Sequence, residues 1–305
     1  MLDAEPWMRV TAALVAVGML SAFVVRAIRK DRREFTRFRR YRSTARRQAM
    51  MRRWLIESAL TFGASGALLL VVVHPFAGPM LEATQQLAPV AAVRDFTGSG
   101  LGIGMVIGAV LGLAILTVVG VRGARREGGV LVVGNIAALL PHNRPELGWG
   151  AALSLNAGIS EELLFRLALP ALLVIVTGEP ISAFLLAALV FGLLHAYQGP
   201  VGVIATTLVG LVFTAIYVVT GSIVIVMALH ALFDLRTLVI IPAAVYRVDR
   251  IPGTIRFPKP LPLAPAREKT QRASEPAAAD PEPAADASAD APSDAPSTST
   301  ATDTS

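Results

Sequence analysis

Apolar residues in this chain gather in long blocks instead of alternating or recurring at a surface-helix period. Seven blocks stand out, at 10–25, 54–73, 101–121, 150–176, 181–197, 201–219 and 222–245. A ~30 Å hydrocarbon core needs about 20 apolar residues in a helix, so each block is a candidate span, the first being short at 16 residues. The second is expected to break at His74-Pro75. The third carries no charge, and Gly100, Gly104, Gly108 and Gly112 recur every fourth residue, a smooth stripe that another helix could approach closely. Residues 130–140 are apolar but too short to span. Pro141-His142-Asn143-Arg144-Pro145 ends them, which suggests a re-entrant or interfacial piece.

The pattern predicts an all-α polytopic transmembrane bundle of about seven helices, and composition agrees. Hydrophobic residues make up 54% and charged residues 16%, where a soluble domain carries about a quarter charged. A soluble globular enzyme is excluded as the default. Without cysteine there is no disulfide, thiolate metal site or thiol nucleophile. Chemistry is left to histidine, carboxylates, hydroxyls or a non-thiolate metal site.

Thirteen Lys or Arg and two acids fall between Arg26 and Arg53, a local charge of +11 in a chain of net +6. Such a run could bind nucleic acid, but between two apolar blocks it reads as a topogenic loop meeting anionic lipid headgroups, with no nucleic-acid partner expected. Placing it inside also puts Arg122–Arg126 and Arg247–Arg256 inside, which predicts a multi-pass protein of the cell (plasma) membrane with a cytoplasmic C-terminus. Residues 273–305 are Ala, Pro, Ser, Thr, Asp and Glu, with no Lys, Arg or large aliphatic. Such a tail lacks core-forming surface and is expected to be disordered. Three regions follow: N-terminal membrane helices (1–129), a catalytic membrane domain (130–250) and the tail (251–305).

The candidate chemistry is the set of ionisable residues inside apolar blocks, each costly in lipid unless paired or in a wet cavity. Glu161, Glu162 and Arg166 interrupt the fourth block, His195 lies near the end of the fifth, and His230, Asp234 and Arg236 lie in the seventh. Glu162 and Arg166 are four apart and can neutralise each other, which leaves Glu161, turned about 100° away, for other work. His230 and Asp234 also share a face, and Phe191 stacks one turn below His195. Arg236 is an interface anchor or a partner of Asp234. At 1.5 Å per residue Glu161 comes about 16 Å deep and His230 about 18 Å from the same face, so the two can meet. His195 comes out only a few Å deep unless its helix continues past Tyr197 or tilts; a cavity open to the cytoplasm would reconcile all three. His74 and His142, beside prolines, are assigned no role.

The ordered set Glu161-Glu162-Leu163-Leu164-Phe165-Arg166, Phe191-Gly192-Leu193-Leu194-His195 and His230-Ala231-Leu232-Phe233-Asp234 resembles the three motifs of the CPBP (Abi) family, which includes type II CAAX prenyl endopeptidases and bacteriocin-associated relatives. The resemblance covers roughly residues 130–245. It implies an intramembrane endopeptidase acting on a membrane-associated protein or peptide, prenylated or not. Glu161 with His195 would activate water, and His230 with Asp234 would bind a metal or hold the oxyanion. Glu161, His195 and His230 could form a His₂Glu zinc set or a metal-free acid/base site. Family members often carry Asn where Asp234 stands; an ionised Asp cannot donate to an oxyanion and suits orienting His230 or supporting a metal better.

Three other readings fit parts of the same pattern. Gly63-Ala64-Ser65-Gly66 is similar to a rhomboid serine loop but leaves the glutamates unexplained. A proton- or ion-coupled transporter would use Glu, His and Asp as a relay, yet the matched interrupted helices it requires are not found. The third is a catalytically silent relative that holds another membrane protein.

Overall fold

Backbone inside a bilayer must close its hydrogen bonds within itself, and the apolar blocks do so as helices. The computed structural model describes residues 4–127 and 136–253, and every regular element among them is helical. They are α1 (Pro6–Phe38), α2 (Thr44–Gln85), α3 (Ala88–Gly98), α4 (Gly100–Glu127), α5 (residues 144–177), α6 (Pro180–Leu193), α7 (Pro200–Thr220) and α8 (Ile223–Tyr246). Five of these, α1, α2, α4, α7 and α8, are long and apolar enough to cross a membrane. In α5 the ionisable residues interrupt the apolar run, and α6 is short at 14 residues. The protein is an integral membrane protein, the helical bundle that the hydrophobic pattern predicts. The expectation for the C-terminal tail falls outside the described residues.

Several boundaries differ from the sequence reading. The basic segment 26–53 is not a loop: α1 runs on through it to Phe38 and α2 begins at Thr44. Nothing between Arg26 and Phe38 breaks a helix, Arg, Lys and Glu are good helix formers, and Lys30 and Glu34 pair at i,i+4, 3.3 Å apart. Nor does α2 end at His74-Pro75; Pro75 and Pro79 lie inside it. Pro75 cannot donate to the carbonyl of Val71. His74 Nδ1, 3.0 Å from that oxygen, donates in its place, which gives His74 a structural role. The segment beyond the two prolines forms the end of α2 and the short α3.

The centre of the bundle is α5, whose Leu164, Phe165, Ala168, Leu169, Ala171 and Val174 are all buried. It packs on α8, α2, α6 and α1. Lipid tails are as apolar as leucine, so close van der Waals packing holds membrane helices together. Gly150, Ser154 and Gly158, spaced four apart on α5, supply it. A Cβ at Gly158 would lie 2.7 Å from the Met227 carbonyl oxygen and 2.8 Å from Ala231 Cβ, and one at Gly150 2.8 Å from the Leu238 oxygen, all on α8. This small-residue stripe went unnoticed in the sequence. The glycine stripe of α4 has no such partner among the described residues: a Cβ at Gly100, Gly104, Gly108 or Gly112 would have no neighbour within 4 Å.

At its start α5 is fastened to the basic segment. Asn143 caps the helix by accepting from the Glu146 amide, and the Glu146 carboxylate accepts from the His142 amide at 3.0 Å and Asn143 Nδ2 at 3.2 Å, a reciprocal cap. Arg47 Nε donates to the same carboxylate at 2.9 Å and its Nη2 to the Leu140 carbonyl at 2.9 Å, with the guanidinium 4.1 Å from the Phe38 ring centroid. Both charges are buried. Burial, aided by the Arg47 charge, pushes the His142 imidazole down to about 3, so it adds no second cation there. Breaking a buried pair from one side leaves a charge without compensation. Arg47→Ala is therefore expected to lower stability by about 3–5 kcal/mol, read as a lower melting temperature of the detergent-solubilised protein, while Arg46→Ala, at an exposed neighbour, leaves it unchanged.

Candidate active site

Below Glu162, α5 passes through a π-helical turn at Leu163–Ala168 before resuming as α-helix. The turn lies where the charged residues are, a frequent place for π-bulges in functional helices. Glu162 is wholly buried. Its Oε2 lies 3.0 Å from Arg166 Nε, and its Oε1 2.6 Å from His230 Nδ1. The arginine contact is off the hydrogen-bond axis, so it is an ionic contact. The guanidinium is further held by the Gly210 carbonyl, 3.3 Å from Nη2, and lies 4.6 Å from the Phe191 ring centroid. His230 packs beside Phe213, centroids 5.3 Å apart. Its other nitrogen, Nε2, is 3.8 Å from Asp234 Oδ2. One carboxylate thus joins a cation on its own helix to an imidazole on α8.

Glu161, one residue earlier, has a different setting. It lines a cavity of about 210 Å³ together with His195, Tyr197 and Asp234. The remaining wall is mostly apolar and aromatic: Phe165 from α5, Phe191 from α6, Phe35 from α1, and Met51, Trp54 and Phe62 from α2, with Arg26, Asp31 and Ser58 as polar positions. Site residues from one sequence segment therefore meet a wall built by helices well before it. Asn156 on α5 donates to Ser58 and ties that wall to the central helix.

His195 reaches the cavity by a route the sequence reading did not foresee. Its helix does not continue past Tyr197; α6 ends at Leu193, and Ala196–Gln198 form a 3-10 turn. Gly199, at φ 85°, then swings the chain into α7, a conformation that glycine takes without strain. Nδ1 of His195 donates to the Phe191 carbonyl at 2.8 Å, so in the neutral ring Nε2 keeps its lone pair as an acceptor. The rings of Phe191 and His195 lie 5.0 Å apart at a tilt of 54°. On the same turn, Tyr197 Oη accepts from Gln198 Nε2 at 3.2 Å and retains its own proton to donate elsewhere. The hydrophobic pattern does not mark Tyr197, the last residue of an apolar block; its position two residues after a candidate histidine is the available signal.

The structure thus separates the predicted set. Glu161, His195 and Asp234 share the cavity, while Glu162, Arg166 and His230 form a buried network behind it. Arg236 is exposed, and among the described residues no ion pair joins it to Asp234. Among the described residues no three His, Asp or Glu side chains come together as a metal-binding group. In both candidate histidines Nδ1 is engaged, by Glu162 in His230 and by the Phe191 carbonyl in His195, which leaves Nε2 as the nitrogen each could offer a metal. Ser65 donates to the Thr61 carbonyl, and a Cβ at Gly63 would lie 3.2 Å from Ser160 and one at Gly66 3.3 Å from Leu164. That serine motif is a packing surface of α2 against α5.

Residues 143–236 match the family model described as type II CAAX prenyl endopeptidase Rce1-like. The match takes in all three motifs and supports a CAAX-type intramembrane protease family for this segment. No curated protein and no solved structure matches the chain.

The network makes a stability prediction. Arg166→Ala leaves the Glu162 carboxylate short of its cation, and Glu162→Ala leaves Arg166 unpaired and His230 without its acceptor. Each is expected to cost about 3–5 kcal/mol, with Glu162→Ala the more damaging. The double substitution removes both charges and is expected to regain most of the melting temperature in a thermal scan of the purified protein.

Proposed function

We propose that the Rce1-like segment, together with the cavity wall supplied by α1 and α2, forms the active site of an intramembrane endopeptidase acting on membrane-associated proteins or peptides. The observation that carries this reading is the shared cavity. A carboxylate, an imidazole with a free acceptor nitrogen and a second carboxylate, from three separate parts of the chain, face one apolar-walled space. A neighbouring carboxylate is withheld from it by two partners. Peptide hydrolysis needs a confined water, a base and a donor for the oxyanion.

In the proposed reaction a water held between Glu161 and His195 gives up a proton to this pair, and its oxygen bonds to the scissile carbonyl carbon as the carbonyl electrons move onto oxygen. The tetrahedral intermediate then collapses, the C–N bond breaks, and the proton is returned to the leaving nitrogen. The Tyr197 hydroxyl, its oxygen already accepting from Gln198, donates to the oxyanion. His230 is a positioning residue: Glu162 fixes its ring, and its Nε2 faces Asp234, which orients it toward the cavity. Under the positive-inside rule the cavity, whose lining includes Arg26 and Asp31 at the start of the basic segment, opens toward the cytoplasm of the cell membrane, with the C-terminus on the same side.

Glu161→Gln and His195→Ala are each expected to lower cleavage of a membrane-tethered peptide at least a hundredfold without loss of protein level or monodispersity, as measured with purified protein in proteoliposomes. Cleavage by either variant at the wild-type rate would remove the assignment. Loss of wild-type activity on chelation and its recovery with zinc would favour the metal reading of Glu161, His195 and His230 over the metal-free one. Tyr197→Phe is expected to lower kcat by about a hundredfold, the cost of one oxyanion donor, with KM little changed.

A further inference from the structure

The basic extension of α1 has two faces, and only one belongs to the cavity. The apolar part of α1, residues 10–25, ends at Arg26 and is 16 residues long, about 24 Å at 1.5 Å per residue, most of the ~30 Å hydrocarbon core. Residues 27–38 therefore emerge at headgroup level. Asp31 and Phe35 point into the cavity. Arg29, Arg33 and Arg37, one turn apart each, face the other way and are exposed.

These three arginines, with Lys30 and Glu34 and with Arg53 of α2, line an open cleft of about 240 Å³. Its internal charges are unequally matched. Glu34 accepts from Trp54 Nε1 at 2.9 Å, is 3.3 Å from Lys30 and 3.2 Å from Arg53. Glu57 is bonded to Lys30 and, at 2.9 Å, to Arg53. Arg26 lies 3.8 Å from Glu57 and 3.4 Å from Asp31, so three cations (Arg26, Lys30, Arg53) and three carboxylates (Asp31, Glu34, Glu57) balance and lock α1 to α2. No carboxylate pairs with Arg29, Arg33 or Arg37 among the described residues, so the cleft keeps three uncompensated guanidinium groups on a rigid helix face. Guanidinium groups match phosphate oxygens in geometry.

We propose that this cleft is a binding site for the phosphate of a net-anionic lipid headgroup. A topogenic charge run needs only positive residues on one side of the membrane. Here, beyond that, arginines at one-turn spacing flank a cleft at the depth of lipid phosphate, and its only acid is already saturated. A bound headgroup would brace the helix whose opposite face, through Asp31 and Phe35, forms the cavity wall. The site does not depend on the protease reading, because its test measures binding.

The test is native mass spectrometry of the purified full-length protein titrated with phosphatidylglycerol or phosphatidylcholine, with glycerol 3-phosphate and inorganic phosphate as soluble probes. Phosphatidylglycerol is expected to bind at least tenfold more tightly than phosphatidylcholine. Arg33→Gln alone, which leaves the topogenic charge nearly intact, should weaken it about fivefold. Arg29→Gln/Arg33→Gln/Arg37→Gln should bring it to the phosphatidylcholine level. Arg40→Gln/Arg42→Gln/Arg46→Gln removes the same charge from the same segment outside the cleft and should change it less than twofold. Equal binding of the two lipids, an unaffected cleft variant, or equal loss in both triple variants would overturn the site. Glycerol 3-phosphate or inorganic phosphate binding as tightly as the lipid would overturn its assignment to a lipid.

Discussion

A carboxylate without water must be matched by charge or hydrogen bonds, and Glu162 is the point where that requirement organises the membrane domain. Its two oxygens are divided between Arg166 on its own helix and His230 on α8. The division fixes the rotation of α5 about its axis and the approach of α8, and Gly150, Ser154 and Gly158 let the backbones come close enough for the contact to form. With that rotation set, Glu161 has one direction left, which is the cavity. The pairing of two adjacent glutamates therefore gives them unlike surroundings: one is consumed by structure and the other is left open.

The N-terminal helices are part of the same arrangement. Arg47 and Glu146 join the basic segment to the cap of α5, and Asn156 with Ser58 joins α2 to its middle. Phe35, Met51, Trp54 and Phe62 then complete the apolar wall opposite Glu161. The region outside the family match thus bears directly on what can enter the cavity, since its side chains set the width and polarity of the space beside Glu161 and His195.

Much of this was legible in the sequence because lipid imposes simple constraints. Apolar block length gave the bundle, and the cost of intramembrane charge singled out Glu161, Glu162, Arg166, His195, His230 and Asp234. Other features were hidden for identifiable reasons. Arg47 was counted among thirteen cations, and a charge run gives no sign of which member is buried. Small-residue stripes occur in both α4 and α5, and spacing alone does not say which has a partner. Proline usually ends helices, so the continuation of α2 past Pro75 depended on a side chain, His74, replacing the missing donor. Short turns such as the one that carries His195 and Tyr197 have no hydrophobic period by which to find them.

The π-turn at Leu163–Ala168 gives α5 a property that a uniform helix would lack. One extra residue in a turn shifts everything after it by about 100° relative to what precedes it. The half that presents Glu161 and the half that buries Leu169 through Ile175 are thereby indexed separately. Loss of a single residue in this turn would leave both halves helical and the composition almost unchanged, yet aim the Glu161 face and the packing face in mutually incompatible directions. The turn acts as the phase setting of the central helix.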